Sequence, residues 1–503
     1  MLEKIHHKSA PKEVVNALVT LYHEGKFDDV LSRSSQLIKE YPHTFVLHNI
    51  MGAISFEKGH TEAAIEHFRK VIELRPHHPH AYNNLGAALI DIREYQEAKS
   101  NLEKAIEIQP DYAEAYNNLG NVYKEMEDYT QAISIYEKAI ELNPQYYEAY
   151  NNLGVALGQN TQYEEAEKVL KNVIKLQPAF VESLNSLGSI LTYMEKYEEA
   201  KTILNRSIEI NSNNAEAFYN LGLIYSKNNN LKDSILNFQK ALKFGFDNPE
   251  IYYNQAINYI NLGFSEEATL NFKKCIDLDP KNQKALHLYN SLIGHNTKSA
   301  PREYVIDLFD NYAKSFEQSL IDKLDYKIPK EIGNLIKTKL PKSLGSILDL
   351  GCGTGLVGFE LRKYCTYLKG IDLSRSMIQL SREKKIYDEL EEVDISTYLK
   401  KQSLNFDYFI AADVFIYVGD LYDIFKVLKK RNNKPGYLVF STEHFEGYGY
   451  KLEKSGRYAH SKDYILSLCE EFNYSIKNFK KIPLRKENNL YISGALYNLK
   501  FLK

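Results

Sequence analysis

A spacing of 34 residues governs the first half of this chain. The segments AYNNLGAALIDIREYQEAKSNLEKAIEIQP, AYNNLGNVYKEMEDYTQAISIYEKAIELNP and AYNNLGVALGQNTQYEEAEKVLKNVIKLQP follow one another, with Leu-Gly pairs beginning at Leu85, Leu119 and Leu153. The same step continues to Leu187 and Leu221, and Pro42, Pro76, Pro110, Pro144, Pro178 and Pro280 fall on one lattice. Such a repeat rules out one closed core for this region, because each unit must bury its apolar face against the next. Within a unit, Tyr116, Leu119, Gly120 and Tyr123 share one helical face, and Ala132, Tyr136 and Ala139 share another. Pro144 cannot continue the second helix, so the chain turns back. The lattice predicts a lead-in over 1–10, eight helix pairs over 11–282 and a capping helix over 283–296.

The pattern large-x2-Leu-Gly-x2-Tyr, followed by Ala, a large residue, Ala and Pro, resembles the tetratricopeptide (TPR) family; the first repeat departs from it with Ala17-Leu18. The resemblance implies an all-α solenoid whose concave face takes a protein or peptide partner. Asn16, Asn84, Asn118, Asn152, Asn220 and Asn254 recur at one position of the first helices. As a ladder of amides facing inward they would offer both a donor and an acceptor to an extended main chain. Packing between helices is the alternative use of the same asparagines.

Composition then divides the chain. Residues 301–503 carry 33 basic and 27 acidic side chains, a net of +6, which leaves −9 on residues 1–300. The acidic first half mildly favours a basic partner segment. The excess on the second half is diffuse, and the whole chain is at −3, which argues against a nucleic-acid binder. No apolar run reaches membrane-helix length and the N-terminus has no signal-like core, so the expectation is a cytoplasmic protein without membrane insertion. The four cysteines form no CxxC pair, which speaks against a disulfide framework or a structural metal site.

Residues 297–302 (TKSAPR) read as a polar linker, and a different architecture begins at residue 303. Ile347, Leu348 and Leu350 form a buried-strand pattern that ends in Gly351-Cys-Gly353-Thr-Gly355, a tight strand-to-helix turn. A second strand pattern ends in Asp372, about 20 residues on, where a carboxylate can grip ribose hydroxyls. Gly353 to Gly358 also spells G-x-G-x-x-G, the dinucleotide fingerprint, so a nicotinamide or flavin cofactor is a second possibility. Asp349 would repel a pyrophosphate, whereas S-adenosylmethionine (SAM) has no phosphate and carries a sulfonium cation.

The longer string Asp349-Leu-Gly351-x-Gly353-x-Gly355, with Gly370-Ile-Asp372-Leu373-Ser374, resembles class I SAM-dependent methyltransferases, in particular bacterial predicted methyltransferases that also carry TPR repeats. The resemblance covers 303–503 and implies a Rossmann-like α/β domain with a mixed seven-stranded sheet closed by an antiparallel pair over Ile482–Arg485 and Leu490–Leu499. It implies SAM contacts from Asp349, Gly351, Gly353, Gly355, Asp372, Leu373, Asp394, Ile395 and Asp413. Tyr312, on a helix that closes over SAM in relatives, is a candidate lid residue, or else a core residue. Methyl transfer to oxygen or nitrogen profits from a base; the candidates are Asp413, His444 and His460, the last two on a post-strand-five loop resembling a substrate lid. Either histidine could equally be structural. Arg457 could hold an acidic substrate group or pair with a glutamate.

The resulting expectation is a SAM-dependent methyltransferase whose solenoid recruits a protein substrate or partner. The alternatives are a small-molecule methyltransferase with the solenoid as scaffold, and a non-enzymatic adaptor.

Overall fold

A computed structural model describes residues 9–312, 325–337, 343–401, 403–487 and 490–502, with the side chains of 311, 312, 337 and 401 excepted. The chain forms two compact units, Met1–Phe246 and Asp247–Lys503.

The first unit is a stack of helix pairs, of which Ala113–Glu125 and Tyr129–Leu142 are representative. Ala115, Leu119 and Val122 of one helix and Ala132, Tyr136 and Ala139 of the other are buried. Gly120 is small because Tyr136 stands against it: a Cβ there would lie 2.5 Å from the Tyr136 ring. Burying a ring of that size stabilises by roughly 1.5–3 kcal/mol. The Tyr136 hydroxyl donates to Asn121 Oδ1 at 2.6 Å, so the polar tip is satisfied. Between the two helices one residue turns left-handed, at Arg93, Glu127, Thr161, Glu195 and Asn229 in successive repeats, with φ between 57° and 64°. In the degenerate first repeat, Leu18 is the buried residue of helix Lys12–His23.

The second unit begins with the helix pair Pro249–Leu262 and Ser265–Leu278, then helix Gln283–Ile293. Among the described residues its sheet has nine strands: β1 (Ser346–Leu350), β2 (Tyr367–Asp372), β3 (Glu389–Glu392), β4 (Tyr408–Ala411), β5 (Gly436–His444), β6 (Tyr450–Leu452), β7 (Tyr458–His460), β8 (Tyr474–Glu487) and β9 (Leu490–Phe501). β3-β2-β1-β4-β5 are parallel neighbours. β9 runs antiparallel to β5 along Gly436–Glu443, and β8 lies beyond β9. Alternate residues of the inner strands feed two cores: Ile347, Ile410 and Val439 on one face, Leu348, Phe409 and Phe440 on the other.

Two strands exceed the expected seven. β6 and β7 form a hairpin that hooks onto the end of β5 through Glu443–Ala459 and His444–His460. The segment read as an irregular lid therefore extends the sheet. Three-residue strands are too short to show a period-two pattern.

The segment read as a linker is also built in. The Asn296 amide bonds Tyr450 O at 3.0 Å and accepts from Leu452 N at 2.8 Å, as a backbone strand partner would. Ser299 pairs antiparallel with Val418, Lys298 O accepts from the N–H groups of Gly419 and Asp420, and Ala300 N donates to Tyr417 O. His287 Nε2 meets Gly456 O at 2.8 Å. The residues from Asn296 to Ala300 form a strap across the hairpin and the exit of β4.

Candidate active site

Open α/β sheets bind ligands beyond the carboxyl ends of their strands, where the order reverses. Here β1 lies between β2 and β4, and the turn after β1 carries Gly351, Gly353 and Gly355 at φ of 67°, 52° and 90°. Asp372, at the end of β2, staples this loop: its Oδ2 accepts from Gly353 N and its Oδ1 from Ser374 N, at 2.8 and 2.9 Å. Burial lifts the Asp372 carboxyl above its ordinary range, and the Ser374 and Gly353 N–H groups oppose that shift.

A cavity of about 1160 Å³ opens above this loop. Gly351, Gly353, Asp372, Leu373, Asp394, Ile395 and Asp413 are all on its wall, together with Thr354, Tyr326, Tyr417, Arg457 and Arg485. The strap and the helix behind it contribute Ser299 to Glu303. SAM fits this wall on three observations. A Cβ on Gly353 would meet no heavy atom within 4 Å, so space is left open there. Thr354 Oγ1 is buried on the wall without a hydrogen-bond partner. The acidic groups Asp372 and Asp394 suit ribose and amine donors and disfavour a pyrophosphate. Asp394 Oδ1 also accepts from Thr397 N, starting helix Ile395–Lys401.

Several expected site residues lie elsewhere. Asp349 is 1% exposed, is not on the cavity wall, and accepts from the Tyr387 hydroxyl at 2.7 Å beneath the loop. Gly355 starts helix Leu356–Leu361 and turns towards the Tyr387 ring. His444 and His460 are buried and neither is on the wall of this cavity. His460 Nε2 is 2.9–3.0 Å from the carbonyls of Val418 and Gly419, and burial lowers its pKa to about 4. His444 packs against the Phe479 ring. The side chain of Tyr312 lies outside the described residues.

Asp413 does reach the cavity. It sits at φ 55°, its Oδ1 accepts from Ser441 Oγ at 2.7 Å and its Oδ2 from Arg485 Nη1 at 2.9 Å. Burial pushes its carboxyl up, and Arg485 pulls it down. Arg485 also pairs with Glu443, which accepts from Arg457 Nε at 2.7 Å; Arg457 in turn reaches Glu487. Arg457 is thus paired with glutamates. Arg485 and Glu443 escaped the sequence reading. A register shift between Pro483 and Lys486 breaks the alternation of β8 and turns Arg485 inward beside the buried Leu484.

In the helical unit the asparagine ladder is partly a set of ties between repeats. Asn118 Nδ2 donates to Asn83 Oδ1 at 2.9 Å, and Asn152 Nδ2 to Asn117 Oδ1 at 3.0 Å. Asn84 accepts from Asn83 Nδ2 at 3.4 Å. Asn220 is buried, Asn254 half-buried and Asn16 exposed.

Comparison with known proteins agrees with this division. A "Methyltransferase domain" family model matches residues 341–483. Models described as "Tetratricopeptide repeat" or "TPR repeat" match segments between 52 and 282, including 77–145 and 249–282. The chain carries TPR repeats followed by a methyltransferase domain. Among curated relatives, it is 31% identical over 137 residues to "Phosphoethanolamine N-methyltransferase 1" of Zea mays, covering 26% of this chain and 27% of that protein. It is 22% identical over 148 residues to "Ubiquinone biosynthesis O-methyltransferase" of Ralstonia nicotianae, covering 29% and 60%. The chain thus spans only part of the length of either relative. Among solved structures, the APC/C hetero-tetramer Cut9-Hcn1 aligns with 56% of this chain and 55% of its own at 18% identity and a TM-score of 0.45. YrrB, described as a TPR protein with an unusual peptide-binding site, aligns with 37% of this chain and 95% of its own at 28% identity and a TM-score of 0.29. No described helix is long and apolar enough to cross a membrane.

Proposed function

We propose that the chain transfers a methyl group from SAM to an acceptor entering the cavity beside the exit of β4, and that its solenoid recruits a protein substrate or partner. SAM supplies an electrophilic methyl carbon on sulfur. The glycine loop and Asp372 would hold the ribose side of the cofactor, and Leu373, Asp394 and Ile395 the adenine side. Methyl transfer is an in-line displacement, so most of the rate comes from alignment. Transfer to an oxygen or nitrogen acceptor would release a proton that a base on the cavity wall would take. Asp413 is the candidate base on the cavity wall, and each of its oxygens keeps a second lone pair.

The observation that carries this reading is the cavity over the open Gly353 position, with Asp372 on its wall. Calorimetry on the full chain tests it. SAM should bind and NAD should not, and Asp372→Ala should weaken SAM by roughly 10–150-fold per charged hydrogen bond lost. Binding of NAD, or an unchanged SAM affinity in the variant, refutes it. A second reading, a small-molecule acceptor with the solenoid as scaffold, draws on the names of the two curated relatives. Tritium from labelled SAM, followed into protein and small-molecule fractions of a lysate, separates the two.

A further inference from the structure

The charges beside the exit of β4 form a single file. Asp413 pairs with Arg485 at 2.9 Å, Arg485 with Glu443, Glu443 with Arg457 at 2.7 Å, and Arg457 with Glu487. Three carboxylates thus alternate with two guanidiniums, and the file begins and ends on a carboxylate. Glu443 lies behind the cavity wall and the other four residues are on it. The two ends differ in burial: the Asp413 side chain is 12% exposed and that of Glu487 39%. Water screens the Glu487 end, so the negative charge left over is felt at Asp413. Among the described residues Arg485 is the one cation paired with Asp413; the other groups facing it are Ser441, Glu443 and the phenols of Tyr326 and Tyr417. Of the remaining cations on the wall, Lys486 lies 5.2 Å from the Tyr491 ring, and Arg302 is exposed beside Glu303 at the start of helix Arg302–Tyr312.

A buried file one positive charge short favours an arriving cation. The wall around Asp413 suits one, because the rings of Phe309, Tyr326 and Tyr417 line it. The guanidiniums do not call for an anion: each already spans two carboxylates, and an anion brought to them would face Asp413 and Glu487. An alcohol or a thiol brings no charge at all. We propose that the methyl acceptor is an amine, drawn to Asp413 in its ammonium form. The inference rests on the methyl-transfer reading above and narrows its acceptor. The step balances without a further reactant. Asp413 takes one proton from the ammonium, the freed nitrogen lone pair forms the bond to the methyl carbon, and the electron pair of the breaking carbon–sulfur bond stays on sulfur. Burial, which raises the Asp413 carboxyl above its ordinary range against the pull of Arg485, suits it to hold that proton.

The first test fills the cofactor site of the full chain with S-adenosylhomocysteine, the demethylated cofactor, and titrates three probes of one shape by calorimetry: phenethylamine, 2-phenylethanol and phenylacetate. The amine should bind about tenfold tighter than the alcohol, and the acid weakest. Equal affinities for amine and alcohol, undetectable ones included, or tighter binding of the acid overturn the proposal and leave the SAM reading standing. If S-adenosylhomocysteine does not bind, both fall. In Asp413→Asn the amine and the alcohol should come within about twofold of each other. A preference that survives in the folded variant overturns the proposal, and should the variant fail to fold, the order of the wild-type affinities decides. The second test adds the purified full chain and tritiated SAM to a lysate and reads the label gained over the lysate alone. Label held on nitrogen through acid hydrolysis supports an amine: on an amino acid of the protein fraction it marks a protein amine, in the small-molecule fraction a free one. Methanol released by mild alkali, which marks a methyl ester, or label on a hydroxyl or thiol, overturns it.

Discussion

In the helical unit Gly120 lacks a side chain because Tyr136 occupies the space, and in the sheet unit Gly353 lacks one although nothing in the chain occupies it. The first situation recurs. Gly52, Gly86, Gly120, Gly154, Gly188 and Gly222 each stand 2.4–2.6 Å, measured from an added Cβ, from a large side chain 16 residues on. The second, with a left-handed φ, lies on a cavity wall. Left-handed backbone divides in the same way. Thr161 adopts it at a repeat turn, whereas Asp413 adopts it at the end of β4 under three hydrogen bonds, to Ser441 and Arg485. In the solenoid the recurring helix glycines are explained by the second helix of their own repeat; at Gly353 and Asp413 the left-handed backbone lies on the cavity wall instead.

The largest test of that contrast lies at Asp349. Its folded pKa of about 7 exceeds the ordinary 3.8, so ionisation opposes folding. The penalty is absent below the unfolded value, grows as pH rises towards 7 and is constant above it. Asp349→Asn should therefore be more stable than wild type at pH 8 by up to ~4 kcal/mol, with the gap reduced to about 1 kcal/mol at pH 4.5, in urea unfolding. An equal gap at both pH values would break the account. Next in size, Gly120→Ala should destabilise its repeat by roughly 1–3 kcal/mol, because the close contact outweighs the gain in helix propensity. Gly353→Ala meets no clash and should cost only ~1–2 kcal/mol of strain, yet weaken SAM markedly. Hydrogen exchange reports the local stabilities. A stabilising Gly120→Ala would show that Tyr136 can swing aside. Smallest, Thr161→Gly should stabilise its repeat by about 1 kcal/mol, since a β-branched residue is strained at φ 62°.

The repeat made the helical unit legible: pair positions, buried faces and turns all follow from Leu119, Gly120, Tyr136 and their copies. β1, β2, β4 and β5 were legible as apolar runs ending in chemistry-bearing residues. What stayed hidden depends on contacts far apart in sequence. Asp349 and Tyr387 are 38 residues apart, and only the fold shows that the carboxylate faces a hydroxyl below the loop. His460 looked like a loop histidine because β7 is too short to announce itself. Arg485 follows a bulge that alternation cannot register. The amides of Asn118 and Asn152 turn to the preceding repeat, a partner that periodicity locates but whose hydrogen bond it does not reveal.

The strap over the β6–β7 hairpin has a consequence for how such a chain can be cut and recombined. Asn296 completes a strand edge with its side chain, and Ser299 pairs with Val418, so neither position tolerates a shift of even one residue without losing its partner. A graft joined at residue 303 would discard part of the cavity wall and expose the edge of β6. One joined at Asp247 would carry the last helix pair, the strap and the sheet together. For an engineer moving the methyltransferase domain onto another scaffold, the portable piece begins inside the repeats.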